Sequence, residues 1–257
     1  MNPLAALLHR NAWNVFRRDF MAWQKYAFSS VAINIFEPLA WFLAIGFGLG
    51  AYLTLGKSSL IQFIAPGMLG LAALNAATFD ACWGAYERLN FNGVYESMVT
   101  APVAPLEIAA GEYLWQAFRA TLYGLLFLVV IAALGLVHSW WSLLSLPLLA
   151  LSGIVFAMPG LAVAFMVKTQ EHLFYYFSLV TTPMAMIGGV FFPLDKTPHW
   201  LQVVAWCTPL YHCVNIFRAL VNGTPSVGLL GDLAWLLVAM ALFAYLPVPF
   251  LRNKLAR

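Results

Sequence analysis

Four charged side chains stand inside runs that are otherwise apolar, and chemistry would be sought there first. Glu37 precedes Pro38 in VAINIFEPLAWFLAIGFGLGAYL, Asp80 closes a second run, and Glu112 and Arg119 share one helical face at the start of a third. An ionised group in such a setting faces a protein interior or a wet cavity, because lipid offers it no partner. Two readings stand for them: a polar gate near the mouth of a pore, or an internal Glu112–Arg119 pair with the other charges reaching back toward an interface. No nucleophile, base and orienting group occur together, so no catalytic set is assigned.

Other motifs approach known chemistry and miss it. Residues 51–58, AYLTLGKS, resemble a phosphate-binding loop, but Ala51 occupies the first glycine position before Gly56-Lys57-Ser58. That loop should also follow a strand, and here an apolar run precedes it, so nucleotide binding is not expected. Leu151-Ser152-Gly153 begins like an ATPase signature, but Ile154 follows in the middle of an apolar run. His199, Cys207, His212 and Cys213 fit no common zinc spacing, and adjacent His212 and Cys213 would point apart on a helix, so no metal is expected. A Cys207–Cys213 disulfide stays open where the compartment is oxidising.

The elements that must position these residues are membrane helices. The 257 residues are 63% hydrophobic and 9% charged, with a mean hydropathy of +0.82, whereas soluble proteins run at about 45–50% and 25%. That composition excludes a soluble enzyme, a disordered chain and a collagen-like fibre. The net charge of +3, with no basic patch interleaved with aromatics, excludes a nucleic-acid binder. Arg10, Arg17, Arg18 and Lys25 interrupt the first apolar residues, so no cleaved signal peptide is expected. The fold class is all-α integral membrane, a single transmembrane domain over 1–257. Spans are predicted at about 31–53, 60–82, 113–137, 143–167, 173–192 and 229–251, each close to the ~20 residues that cross ~30 Å of hydrocarbon. The runs are too long and too uniformly apolar for a barrel.

A seventh apolar stretch, 198–222, carries His199, Gln202, Pro209, His212, Asn215 and Arg218. Both ends of the chain are basic, and the positive-inside rule then asks for an even number of crossings. Six crossings put nine basic residues inside and three (Lys57, Lys196, Arg218) outside. The stretch is therefore expected to form two short helices broken at Thr208-Pro209 that dip into the outer leaflet and return. Trp13, Trp23, Trp83, Trp140, Trp141 and Trp200 read as interface belts, and Gly46 and Gly50 as a close-packing pattern.

Two amphipathic pieces flank the spans. Residues 4–25 place Arg10, Asn14, Arg17, Arg18 and Lys25 on one side, with Leu8, Ala12, Val15, Phe16, Phe20 and Trp23 largely on the other. This predicts a helix lying on the inner membrane surface, or an ordinary cytoplasmic cap. The loop 84–105 mixes Glu87, Arg88 and Glu96 with Leu89, Phe91, Val94, Tyr95 and Met98. An apolar set of that kind suits the docking of a soluble partner.

Taken in order, these features resemble the permease subunit of a type-2 ABC exporter over about residues 10–255. The resemblance is carried by FEPLAWFLAIGFGLG, by YERLNFNGVYESMVTAPVAPLEIAAGEYLW, and above all by GGVFFPLDKTPHWLQVVAWCTPLYHCVNIFRALVNG at 188–223. Within that family the chain most resembles the nodulation-factor (lipo-oligosaccharide) exporter permeases, GEYLWQAFRA at 111–120 being part of the closer match. The resemblance implies two copies of this chain with two copies of a separate ABC ATPase in the bacterial inner membrane, with both termini cytoplasmic. ATP and Mg would bind that partner, and no cofactor this chain. Residues 84–98, with Glu87, Arg88, Phe91, Tyr95 and Met98, would be the coupling region. The first and fifth spans would line the path, bringing in Glu37, Trp41, Phe42, Tyr175 and Tyr176, with Glu112 and Arg119 as its polar residues. Residues 193–222, next to Phe192 and with Pro193, Trp200, Pro209, His212 and Arg218, would be the outer re-entrant gate. The cargo would be a lipid-linked or amphiphilic glycan. Alternatives are a small hydrophobic drug on the same architecture and an ion-coupled secondary transporter, for which no inverted repeat is visible.

Overall fold

The computed structural model describes residues 3–256 apart from Ala51, Leu53, Gly56 and Lys57. Gly56 and Lys57 of the near-miss phosphate loop thus lie outside the described residues. The chain is helical almost throughout. Helix α1 (Pro3–Ala6) and the amphipathic α2 (Arg10–Gln24) precede α3 (Ala27–Leu43), which continues as a π-helical turn over Ala44–Leu49. A two-residue antiparallel pairing, Thr54–Leu55 with Ser58–Ser59, leads into α4 (Leu60–Phe79). Ser59 starts α4 with a reciprocal cap: its hydroxyl accepts from Gln62 N, and its own N–H donates to Gln62 Oε1.

Helix α4 runs through a second π turn, Asp80–Gly84, into α5 (Ala85–Asn90). Gly93, at φ +57°, turns the chain into the short α6 (Val94–Val99). Then come α7 (Pro105–Ala133), a 3₁₀ turn over Trp140–Leu144 leading into α8 (Ser145–Met166), and α9 (Glu171–Tyr176) joined to α10 (Thr182–Ile187) by a third π turn, Phe177–Thr181. Helices α11 (His199–Trp206), α12 (Pro209–Asn222), α13 (Leu229–Phe243) and α14 (Pro247–Leu255) complete the chain.

Among the described residues five segments are long and apolar enough to cross a membrane: Ala27–Leu49, Leu60–Asn90, Pro105–Ala133, Trp140–Met166 and Leu229–Leu255. They coincide with the first, second, third, fourth and sixth predicted spans, with corrected ends. The second helix runs on to Asn90, so the predicted loop 84–105 begins later than expected. The third starts at Pro105 rather than near 113, because proline suits the first turn and the Glu107 carboxylate accepts from Ala104 N. The predicted fifth span, 173–192, corresponds to the helix from Glu171 to Ile187, shorter because Gly189 (φ +76°) turns the chain away. The break at Thr208-Pro209 is observed, with the Thr208 hydroxyl accepting from Tyr211 N.

Two apolar clusters hold the bundle. One end gathers Tyr86, Tyr95, Ile108, Tyr113, Phe165 and Leu251, with Leu7 and Leu255, near the two ends of the described chain, packed against them. The other gathers Leu69, Phe127, Leu149, Val214 and Phe217 around the α11–α12 hairpin. We refer to them as the terminal end and the hairpin end. The central seam is α7 against α8, where Gly153 lets the backbones meet: a Cβ there would lie 2.6 Å from Gln116 O and 3.1 Å from Ala117 Cα. Helix α2 lies on α7 with its stripe Ala12, Val15, Asp19 and Trp23 buried. Trp23 is therefore no belt residue, and its indole donates to Tyr123 Oη at 3.3 Å.

Candidate functional site

The charged residues singled out by the sequence converge at the terminal end, joined by others that it did not single out. Asp80 stands at the head of the second π turn. Trp115 and Gln116 donate to its Oδ2 at 3.0 and 2.7 Å, and Arg119 donates to its Oδ1 at 3.2 Å. Arg88 Nη2 bridges Asp80 Oδ2 (3.1 Å) and Glu112 Oε2 (2.7 Å), while its Nε donates to Tyr95 Oη (3.1 Å). Tyr95 in turn donates to Glu112 Oε1 at 2.6 Å. Asp19 from α2 completes the group, paired with Arg18 and 3.9 Å from Arg88 Nε. Glu112 is fully buried, and Asp19, Asp80 and Arg119 are each under 10% exposed.

Arg88 and Arg119 thus meet Asp80 and Glu112 in the interior, which is how a protein tolerates desolvated charge, while Asp19 pairs with the partly exposed Arg18 at the edge of the group. The expected Glu112–Arg119 pair does not form. Each residue takes a different partner, because Arg88 and Asp80 from α4–α5 enter the space between them. Burial, reinforced by the Glu112 carboxylate, pushes the Asp19 carboxyl up to about 8 against the pull of Arg88 and Arg18. Burial likewise raises the Tyr95 phenol, which keeps it a donor. The network draws α2, α4–α5, α6 and α7 to one point, and Gly84 makes room for it: a Cβ there would stand 2.8 Å from the Asp80 carboxyl and 3.1 Å from Arg88 Nη1.

A cavity of about 610 Å³ opens beside the cluster, lined by Asp19, Ser30, Asn34, Asp80, Glu87, Arg88 and Arg119 among others. A second, of about 500 Å³, lies between α3, α4 and α9–α10, where Glu37 and Trp41 meet Asn75, Thr181 and Phe192. Glu37 makes no ion pair among the described residues, and the α3 face around it is exposed, with Ile33 68%, Phe36 73% and Phe47 58% accessible.

The remaining predicted site residues divide clearly. Phe91, Glu87 and Glu96 are exposed on α5–α6, but Tyr95 is fully buried and Met98 packs partly into the terminal-end core. Tyr95 is thereby corrected from a docking anchor to a member of the buried network. Phe42 is buried edge-on against Phe127, with ring centres 5.6 Å apart, and packs rather than lines a path. Tyr175 is exposed, while Tyr176 packs partly against the terminal-end core. Trp200 is exposed on α11, Pro209 opens α12, and Pro193 precedes a short 3₁₀ turn. Cys207 and Cys213 are free thiols, Cys213 lying 3.2 Å from Ser152 Oγ, so no bridge joins them.

His212 locks the hairpin to α13. Its Nδ1 is 2.6 Å from Asp232 Oδ1, its Nε2 is 2.8 Å from Trp206 O, and Trp235 stacks on the ring at 4.4 Å. A carbonyl and a carboxylate are both acceptors, whereas a neutral imidazole has one donor. The dyad therefore holds two protons, as an imidazolium–carboxylate pair or as a neutral pair with the carboxyl donating to Nδ1. Asp232→Asn preserves that match, since its amide donates to Nδ1 while Nε2–H donates to Trp206 O. It should melt near wild type in detergent, while Asp232→Leu, which strands a buried ring nitrogen, should lose about 1–3 kcal/mol. Equal melting of the two variants would contradict this proton count.

Asp19, Trp115, Gln116 and Asp232 were not singled out in the sequence. The signal for Asp19 was its place in the stripe Ala12, Val15, Asp19, Trp23, where an acid sits at a buried helical position. Gln116 could have been found one helical turn beyond Glu112.

The chain matches the model of the ABC-2 type transporter family over residues 10–222. It is 34% identical to nodulation protein J of Rhizobium leguminosarum bv. trifolii, over 95% of this chain and 93% of that protein. To nodulation protein J of Rhizobium meliloti it is 34% identical over 86% of each. To the inner membrane transport permease YadH of Escherichia coli it is 26% identical over 73% and 74%. No solved structure matches the chain.

Proposed function

Because the chain belongs to the ABC-2 type transporter family as a permease, we propose that it is the membrane half of an ATP-driven exporter that moves an amphiphilic, lipid-linked glycan outward across a bacterial inner membrane. In this reading the terminal end is cytoplasmic. Five helices and the shorter α9–α10 make six crossings, α2 lies along the inner surface, and α11–α12 is the re-entrant outer hairpin. Two copies face each other across α3 and α9–α10, and two ATPase subunits, which bind the ATP and Mg, dock on α5–α6. The match to nodulation relatives, together with the resemblance to nodulation-factor exporter permeases, favours a lipo-oligosaccharide cargo over a small hydrophobic drug.

One observation carries the reading. Glu37, a carboxylate with no ion pair among the described residues, stands in the exposed apolar face of a membrane-length helix and borders a cavity shared with α9–α10. Lipid is a poor surrounding for that group, whereas a wet path between two copies suits it. The buried cluster supplies the mechanical link, since a push on α5–α6 reaches α4 and α7 through Arg88 and Tyr95.

The test is made on the exposed positions of that surface. Phe91 and Val99 are 68% and 40% exposed, and an apolar residue buried at a junction contributes about 1.5–3 kcal/mol. Phe91→Asp with Val99→Asp should insert and melt normally but lose at least about tenfold in ATPase affinity in nanodisc pull-downs. Unchanged association together with unchanged export would exclude α5–α6 as the coupling surface.

A further inference from the structure

At the hairpin end a notch of about 310 Å³ is lined by Gln62, Phe63, His138, Arg218 and Asn222. Its volume equals that of roughly ten waters. Arg218 supplies its fixed charge. The guanidinium lies over the Phe63 ring at 4.0 Å, and Nη2 donates to Gly189 O at 2.8 Å. Its Nε–H is buried without a partner, and no carboxylate comes within pairing distance among the described residues; Asp195 acts on it only through space. Arginine carries five donors and no acceptor, so most of its hydrogen-bonding capacity is unspent.

The other polar groups around the notch suit the same kind of ligand. The Gln62 oxygen is occupied by Ser59 N, which leaves the amide nitrogen as its available end. The side chains of His138 and Asn222 make no hydrogen bond among the described residues, although the His138 backbone N–H is fixed on Val221 O at 3.0 Å. The lining therefore combines one permanent positive charge with amide and imidazole donors, and contains no acid. Trp140 and Trp141, two and three residues after His138, are 88% and 52% exposed. Exposed tryptophans at a helix end mark the depth at which headgroups lie.

We propose that this notch binds a phosphate-type oxyanion, with Arg218 supplying the charge and Gln62, His138 and Asn222 supplying further donors. The proposal stands on the notch alone and does not require the export reading. Placed beside the exposed tryptophans, the site suits the phosphate of a lipid or amphiphile headgroup. Free phosphate offers the same chemistry.

The test uses the full chain with Asn222→Asp and His138→Glu, which place an acid in the notch at exposed positions, and Arg218→Lys as a conservative change. In nanodiscs containing phosphatidylglycerol, native mass spectrometry should show the lipid retained by the wild type. The two acidic variants should retain it at least about tenfold less, the loss of one charge-assisted hydrogen bond. Inorganic phosphate, titrated against the chain in detergent, distinguishes the sources. Tight binding of phosphate that the same variants abolish, without lipid retention, assigns the site to the free ion and upholds it. Equal binding by wild type and both acidic variants, whether of lipid or of phosphate at high concentration, means an adventitious ion only and overturns the proposal. Melting temperature and gel filtration show that the variants compared are folded.

Discussion

Arg88→Met should be the most damaging single substitution at the terminal end. It removes the donor that bridges Asp80 and Glu112 at 3.1 and 2.7 Å and leaves Tyr95 Oη without its Nε partner. Removing one side of a buried ion pair costs about 3–5 kcal/mol, because the remaining charge stays desolvated and unpaired. Asp80 keeps Arg119, Trp115 and Gln116, so the uncompensated charge falls on Glu112, held by Tyr95 alone. The same argument says that Arg88→Met combined with Glu112→Leu recovers a large part of the loss. Thermal unfolding of the two variants in detergent measures this, and a single variant that melts like wild type would show that the cluster contributes no stability.

Gly153→Leu should come close to it through sterics alone. A Cβ at 153 meets the Gln116 carbonyl at 2.6 Å, the Ala120 Cβ at 2.7 Å and the Ala117 Cα at 3.1 Å. Two of those neighbours are backbone, which cannot turn aside as a side chain can. Overpacking of this kind costs about 1–3 kcal/mol, and more where the backbone must shift. The shift is also coupled to the site: moving α7 at Gln116 draws its amide from Asp80 Oδ2. The expected result is a lowered melting temperature together with, on the proposed function, weakened coupling of ATP hydrolysis to export. Gly231→Leu, where nothing lies within 4 Å of a Cβ, serves as the control and should melt normally.

Much of this architecture was legible in the sequence because the bilayer constrains a chain so strongly. Uninterrupted apolar runs such as 143–167 can satisfy their backbone only as helices, and the break at Thr208-Pro209 follows from a proline behind a capping threonine. Helix ends were less legible. The second helix was expected to stop at 82, yet Arg88 is carried into the interior because carboxylates wait for it there, a tertiary fact that no local pattern holds. Tyr95 misled for a related reason. Its type suits an interface, and only the fold shows that its hydroxyl finds Arg88 and Glu112 instead. The pairing of Asp80 with Arg119 and of Glu112 with Arg88, rather than of Glu112 with Arg119, likewise required knowing that α4 lies against α7.

The three π turns, at Ala44–Leu49, Asp80–Gly84 and Phe177–Thr181, alter what a helical wheel can say about this chain. Such a turn takes in one residue more than an α turn, so everything after it is out of phase by about 100°. Asp80 and Arg88, eight residues apart, would stand about 80° apart on an unbroken α-helix and stand about 20° apart across such an offset. A wheel drawn from Leu60 and continued past Gly84 therefore assigns the wrong side to Glu87, Arg88 and Phe91. An alignment of relatives that lacked one residue between 80 and 84 would describe helices whose lower halves present a different face to the same neighbours.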